Sequence, residues 1–328
     1  MKAALLYGPG DLRVEDVPLP EKPEGWALVK TLAVGICGTD KAFYKGTYPL
    51  FKKPLIPGHE VSGVVVEGPE ELVGRLVVSE INFPCWRCEY CRSGLYTHCP
   101  YKKTLGIDFD GGLAEYFVAP ATALHAAEGL DPVVATEVEP LAALLNALRL
   151  KPPAPGDSVA VVGTGNLAVM LVQVLKDAGF RPVVVSRAGS SKAEILRSLD
   201  VEVVTAEQAS RLGGESGDGV GFDVVFEVSG DPSALNLAVD LVKPRGTVHL
   251  KSTPGNPGSV NLTKAVVKEV AVIGSRCGTF REFREAIRLL REGRVRPVIT
   301  SVYGGLEKAR EAFERSFRPG EVKVVVKP

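Results

Sequence analysis

Net charge is the first thing this chain lacks. Its 39 Lys and Arg residues are matched by 39 Asp and Glu over 328 positions, so no surplus field gathers phosphate backbones or anionic lipid. Neither nucleic acid nor a membrane is expected as a partner. A long apolar run is missing too. Met1-Lys2-Ala3-Ala4-Leu5-Leu6-Tyr7 leads straight into Gly8-Pro9-Gly10, which leaves no room for a signal peptide or a membrane span and predicts a cytoplasmic protein. No internal repeat or low-complexity tract occurs. Cysteine is sparse, with six residues in all, yet four fall between positions 85 and 99. That density reads as metal ligands in a reducing compartment rather than as a disulfide framework.

The length suits two domains, each large enough to bury its own core. From Met1 to about Ala121, short β-rich runs (Leu28-Val29-Lys30, Val61-Ser62-Gly63-Val64-Val65-Val66, Leu76-Val77-Val78) are broken by Pro and Gly. They predict a twisted antiparallel sheet or barrel with little helix. Near Glu139 the texture changes, and Pro140-Leu141-Ala142-Ala143-Leu144-Leu145 predicts a helix start with Pro in its first turn. Beyond the linker Lys151-Pro152-Pro153-Ala154-Pro155-Gly156-Asp157, strands expected at 158–163, 182–186, 201–204, 222–228, 246–250 and 270–274 alternate with helices. Such alternation makes a parallel sheet covered on both faces. An amphipathic run at 280–292 and a closing strand at 321–326 follow once that sheet is complete, so the tail is expected to return to the first domain.

Three motifs carry chemistry. Cys85-x2-Cys88-x2-Cys91-x7-Cys99 puts three thiols in one tight turn and a fourth within a short loop's reach, which suits a closed four-sulfur structural zinc. Four unrelated free thiols would need this spacing by chance. A nucleic-acid zinc ribbon would need a basic face and a second pair, where this lobe carries Trp86, Arg87, Glu89, Tyr90 and Arg92. Upstream, Gly35-Ile36-Cys37-Gly38-Thr39-Asp40 and Pro57-Gly58-His59-Glu60 supply a thiolate and an imidazole flanked by carboxylates, the donor types of a catalytic zinc. Taken singly, Cys37 also suits a small buried hydrophobe and His59 a satisfied loop residue.

The third motif is Val159-Ala160-Val161-Val162-Gly163-Thr164-Gly165-Asn166-Leu167-Ala168, a strand, a tight turn and a helix with the G-x-G-x-x-A spacing of a dinucleotide site. Gly163 permits the turn and Gly165 lets a pyrophosphate approach the backbone. The helix opened by Asn166 and Leu167 then offers its N–H groups to the phosphates. An acid at the end of the second strand normally binds the adenosine ribose of NAD. Here that place holds Ser186-Arg187, followed by Gly189-Ser190-Ser191-Lys192, and two cations without a carboxylate favour NADP over NAD. Val228-Ser229, Ser252 and Ser275-Arg276 end later strands and are expected to line the nicotinamide half.

In combination, these features resemble the zinc-containing medium-chain dehydrogenase/reductase family over essentially the whole chain, as do Gly111-Gly112-Leu113-Ala114-Glu115-Tyr116 and Glu139-Pro140-Leu141. The resemblance implies an α/β protein. A GroES-like twisted β-barrel catalytic domain would occupy 1–145 plus 278–328, with its zinc lobe at about 84–100, and a Rossmann doubly wound parallel-sheet domain 146–277. It implies two zinc ions per chain and hydride transfer between a nicotinamide cofactor and a small alcohol, polyol, sugar or hydroxy amino acid, in a homodimer or homotetramer. Cys37 and His59 would be zinc ligands, Asp40 the carboxylate that orients His59, and Thr39 the hydroxyl bonded to the substrate oxygen. Simple alcohol dehydrogenases place Cys where this chain has Glu139. Its Glu resembles the polyol, sugar and threonine branches, in which Glu60 and Glu139 bind zinc directly or through water. The family's relay His, five residues after the ligand Cys, is Ala42 here, so the proton path must end differently. A zinc-free quinone-reductase-like relative and a non-catalytic binding relative are the rival readings. Cys37, His59 and the four-cysteine lobe argue against the first, and an intact ligand set with an open glycine turn against the second.

Overall fold

The computed structural model describes residues 1–215 and 221–328. Two compact units form. One comprises Met1–Ala142, Cys277–Glu292 and Ile299–Pro328, and the other Ala143–Arg276 and Gly293–Val298. Among the described residues, no helix is long and apolar enough to cross a membrane.

The first unit is built round the strand Trp26–Gly35. Its early residues alternate buried and open, with Ala27, Val29, Thr31 and Ala33 inward, the period-two pattern of a sheet with one face in the core. In the seven-stranded sheet this strand has Glu60–Glu67 on one side. On the other it pairs with Val324–Lys327 near its end and Tyr116–Pro120 near its start. The chain's last strand therefore does return to the first unit. Gly35 faces Glu60 on one flank and Val325 on the other. The core beneath holds Leu6, Phe43, Leu55, Leu113, Phe117 and Phe313. The closing strand forms over Val324–Lys327 rather than 321–326. Residues just before it are drawn into a polar knot, where Glu321 accepts from Thr300, Ser301 and Arg315.

The second unit is a six-stranded sheet in the order Glu202–Thr205, Val183–Ser186, Val159–Val162, Phe222–Glu227, Val242–Leu250, Ala271–Gly274. Every neighbouring pair is parallel. The chain runs outward in one direction from Val159–Val162 and then restarts on its other side, so the order reverses beside that strand. Outside the carboxyl ends of the strands at such a reversal, a crevice for ligand forms. Valine and alanine fill the central strand on both faces, as a doubly covered parallel sheet requires. The short return Gly293–Val298 is tied to this unit, with Arg296 and Gln173 exchanging two hydrogen bonds and Arg294 pairing with Asp177.

Candidate metal and nucleotide sites

Cys37 precedes the helix Gly38–Lys45, and Asp40 sits in its first turn. The Cys37 N–H donates to Asp40 Oδ2 at 2.9 Å, which satisfies one of the donors a helix start leaves open. The other carboxylate oxygen, Oδ1, faces His59 Nδ1 at 3.7 Å. Neither of those two buried atoms has a hydrogen-bond partner. His59 reaches this position through Gly58, at φ +97, where a Cβ would lie 2.6 Å from Val34 Cγ1. Only glycine fits there.

The ligand atoms of Cys37, His59 and Glu60 all lie within 4.8 Å of one another. Glu139, buried at the start of the helix Val138–Leu150, is not in that group but acts on His59 electrostatically. Thr39 is half-buried in the turn after Cys37. Burial pushes the Cys37 thiol and the Asp40 carboxyl above their ordinary values. It also opposes the His59 imidazolium, but the neighbouring Cys37 and Asp40 charges outweigh it and hold His59 well above its usual value. Anions that are costly in a dry pocket, beside an imidazole with an orphaned nitrogen, suit a divalent cation.

Two residues of this pocket escaped the sequence reading. Lys323, 3% exposed, pairs with Glu60 and, at 3.1 Å, with Glu137, which is fully buried. The contact is possible because Gly35 lies between Glu60, which opens one neighbouring strand, and Lys323, which immediately precedes the other. A Cβ there would stand 2.7 Å from Glu60 Oε2 and 2.9 Å from Lys323 Cε. Burial disfavours the ammonium, yet the Glu137 and Glu60 charges raise its pKa overall. The available signal was a lysine inside the apolar run Val322-Lys323-Val324-Val325-Val326, where a charge needs a buried partner.

The four-cysteine lobe closes as its spacing predicts. Cys88 Sγ lies 3.4 Å from Cys91 Sγ and 3.7 Å from Cys99 Sγ, with Cys99 3.6 Å from Cys85. Hydrogen bonding from the Arg87 N–H pulls the Cys85 thiol down to about 6, while burial pushes Cys91 up to about 12. Four sulfurs so clustered, none in a disulfide, fit a tetrahedral thiolate metal site.

In the second unit the predicted residues fall along the carboxyl edge of the sheet. Gly163, at φ +127, would place a Cβ 2.9 Å from Ser229 Cα, whereas the space at Gly165 is open. Gly165 caps the helix Asn166–Asp177, so the N–H groups around Asn166 and Leu167 face the cradle a pyrophosphate needs. Ser186 ends the neighbouring strand, Arg187 beyond it is exposed, and Lys192 is half-buried. Val228 is buried, while Ser229 and Ser252 both donate to the buried Glu227. Ser275 Oγ is buried without a partner, and Lys251 donates to the Arg276 carbonyl at 3.1 Å.

Residues 23–129 match the family model of the alcohol dehydrogenase GroES-like domain, and residues 167–292 that of the zinc-binding dehydrogenases. L-threonine 3-dehydrogenase of Pyrococcus abyssi is 32% identical, over 100% of this chain and 98% of that protein. Sorbitol dehydrogenase of Halalkalibacterium halodurans is 32% identical, over 98% of this chain and 97% of its own. Among solved structures, a Sinorhizobium meliloti protein assigned to the zinc-binding dehydrogenases and bound to NADP superposes with a TM-score of 0.88 at 29% identity. That match covers 100% of this chain and 99% of the other. With likeness of this order sustained over its whole length, the chain belongs to the zinc-type medium-chain dehydrogenase family and is an NAD(P)-dependent dehydrogenase of the alcohol and polyol type.

Proposed function

We propose that this dehydrogenase holds two zinc ions per chain, one catalytic and one structural, prefers NADP to NAD, and acts on a small polyol, sugar or hydroxy amino acid. The first unit is then the catalytic domain and the second the cofactor domain. The convergence of Cys37, His59 and Glu60 in a buried, anion-rich pocket carries this reading. Cys37 and His59 are the protein ligands, and Glu60 or Glu139 completes the set directly or through water. Asp40, facing His59 Nδ1, fixes the imidazole orientation and leaves Nε2 for the metal. When bound, zinc would acidify a substrate hydroxyl or polarise a carbonyl, and the nicotinamide would take or give the hydride.

The chain's own part is to position and to move a proton. Thr39 exchanges a proton with the substrate oxygen, and because Ala42 offers no imidazole the path ends in water. Lys323 pairs with both Glu60 and Glu137 and offsets part of the pocket's negative charge. A ligand set rich in oxygen tolerates a second chelating hydroxyl, which supports a vicinal diol or hydroxy amino acid over a simple alcohol. Arg187 and Lys192 support the NADP preference. Elemental analysis should give two zinc atoms per chain, and calorimetric titration should show NADP binding more tightly than NAD. One zinc, or none with no nucleotide bound, overturns the reading.

We also propose a homodimer, or a tetramer of such dimers, formed through the second unit. The strand Ala271–Gly274 ends its sheet and Val272 is exposed there, while on the preceding helix Leu262, Val266 and Val267 are 69–77% exposed. An apolar sheet edge meets its own copy antiparallel about a two-fold axis. Val266→Glu with Val272→Glu should halve the mass seen in sedimentation, and a monomeric native protein would remove the proposal. The six free cysteines support a reducing, cytoplasmic compartment.

A further inference from the structure

We infer that Asp231 is a specificity-determining residue for the cofactor: from the far side of the glycine turn, its carboxylate takes the adenosine ribose hydroxyls and opposes the attraction of Arg187 for a 2′-phosphate. The inference rests on the nucleotide reading of this sheet edge given above.

The strand order sets the two residues on either side of the turn. Val159–Val162 lies between Val183–Ser186 and Phe222–Glu227. Gly163 donates its N–H to Val185 O at 3.1 Å on one side. On the other it packs against the Ser229 backbone so closely that a Cβ would be 3.0 Å from Ser229 N. Arg187 follows Val185 by two residues, and Asp231 follows Ser229 by two. Both therefore lie just past the backbone that flanks the turn, near enough for the Arg187 charge to act on the Asp231 carboxylate.

The loop that carries Asp231 is locked from below. Glu227, 1% exposed, accepts from the Ser229 N–H at 2.7 Å and from its hydroxyl at 2.6 Å, and from Ser252 as well. The Ser229 hydroxyl in turn accepts from the Asp231 N–H at 3.1 Å. Asp231 Oδ1 accepts from Ser233 N–H and Oγ at 3.0 and 2.8 Å, while Oδ2 is left for a ligand. Those Ser233 hydrogen bonds, helped by the nearby Arg187 charge, hold the Asp231 carboxyl below the usual carboxylate range, so it is ionised at neutral pH.

The end of the second strand lacks an acid, but the pocket as a whole does not. A ribose diol donates O–H groups to a carboxylate at this place. A 2′-phosphate, close to two negative charges, meets both the guanidinium and the carboxylate. The preference that Arg187 gives NADP is accordingly moderated by Asp231.

The test uses the intact zinc-loaded protein with ADP-ribose and its 2′-phosphate, titrated calorimetrically, so no turnover is needed. Asp231→Asn keeps the Oδ1 acceptor for Ser233 and removes the charge. It should raise the affinity ratio of phosphorylated to plain ligand about tenfold at low salt, the order expected of one partly exposed charge. The gain should shrink several-fold between about 0.05 and 0.5 M salt, because screening acts on charge and not on shape. A ratio changed less than twofold, or equal shifts for both ligands, would overturn the role of Asp231 while leaving the cofactor reading intact. Arg187→Ala, expected to lower the ratio, tests that reading separately. A native protein that binds neither ligand overturns both.

Discussion

Lys323→Met is expected to destabilise the first unit by about 3–5 kcal/mol, the range found when one partner of a buried ion pair is removed. Lys323 is the cation paired with Glu60 and Glu137, and both carboxylates are 2% exposed or less. Methionine would fill the volume but leave two anions in a dry pocket beside the Cys37 thiol. Chemical unfolding of the purified variant measures the loss, and its melting temperature should fall by on the order of 10 °C. Lys323→Arg should recover much of the stability by keeping the charge. Adding Glu137→Gln to the methionine variant should recover part of it by removing an uncompensated charge, a non-additive pair of the kind that contacting residues show. A loss under about 1 kcal/mol would mean the carboxylates are neutralised by something other than Lys323.

His59→Asn is the second large effect. It is expected to lower kcat/KM at least about a thousandfold, roughly 4 kcal/mol of transition-state stabilisation, because the variant loses a ligand of the proposed catalytic zinc. Zinc content should fall from two atoms to one, since the Cys85, Cys88, Cys91 and Cys99 cluster shares no residue with the His59 site. Nucleotide affinity should stay within about twofold, because the glycine turn at Gly163 belongs to the other unit. A variant that keeps two zinc atoms and near-native kcat/KM would remove His59 from the catalytic site. Loss of both metals would show that the two sites are not independent.

The four-cysteine lobe was legible because its four thiols lie within fifteen positions, so spacing alone sets the geometry. The same is true of Gly163 and Gly165, where strand, turn and helix are contiguous. Strand alternation in the second unit predicted a parallel sheet because a buried parallel strand is a short, continuous apolar run. Strand ends were less legible. The last strand begins at Val324 because Glu321 is claimed by Thr300, Ser301 and Arg315, a contact no local pattern announces.

Sequence by itself therefore determined what local chemistry and short spacing can write: the family, the two-part α/β architecture, the thiol lobe, the glycine turn, and Cys37 and His59 as candidate donors. Only the tertiary structure decided which charges meet. Lys323 and Glu60 are 263 residues apart and join because strand register brings both to Gly35, where the absence of a side chain leaves room. Arg187 and Asp231 come to one turn because the sheet reverses its order beside Val159–Val162. Pairings of this kind depend on topology, and a charged residue read along the chain looks the same whether its partner is water or a buried carboxylate.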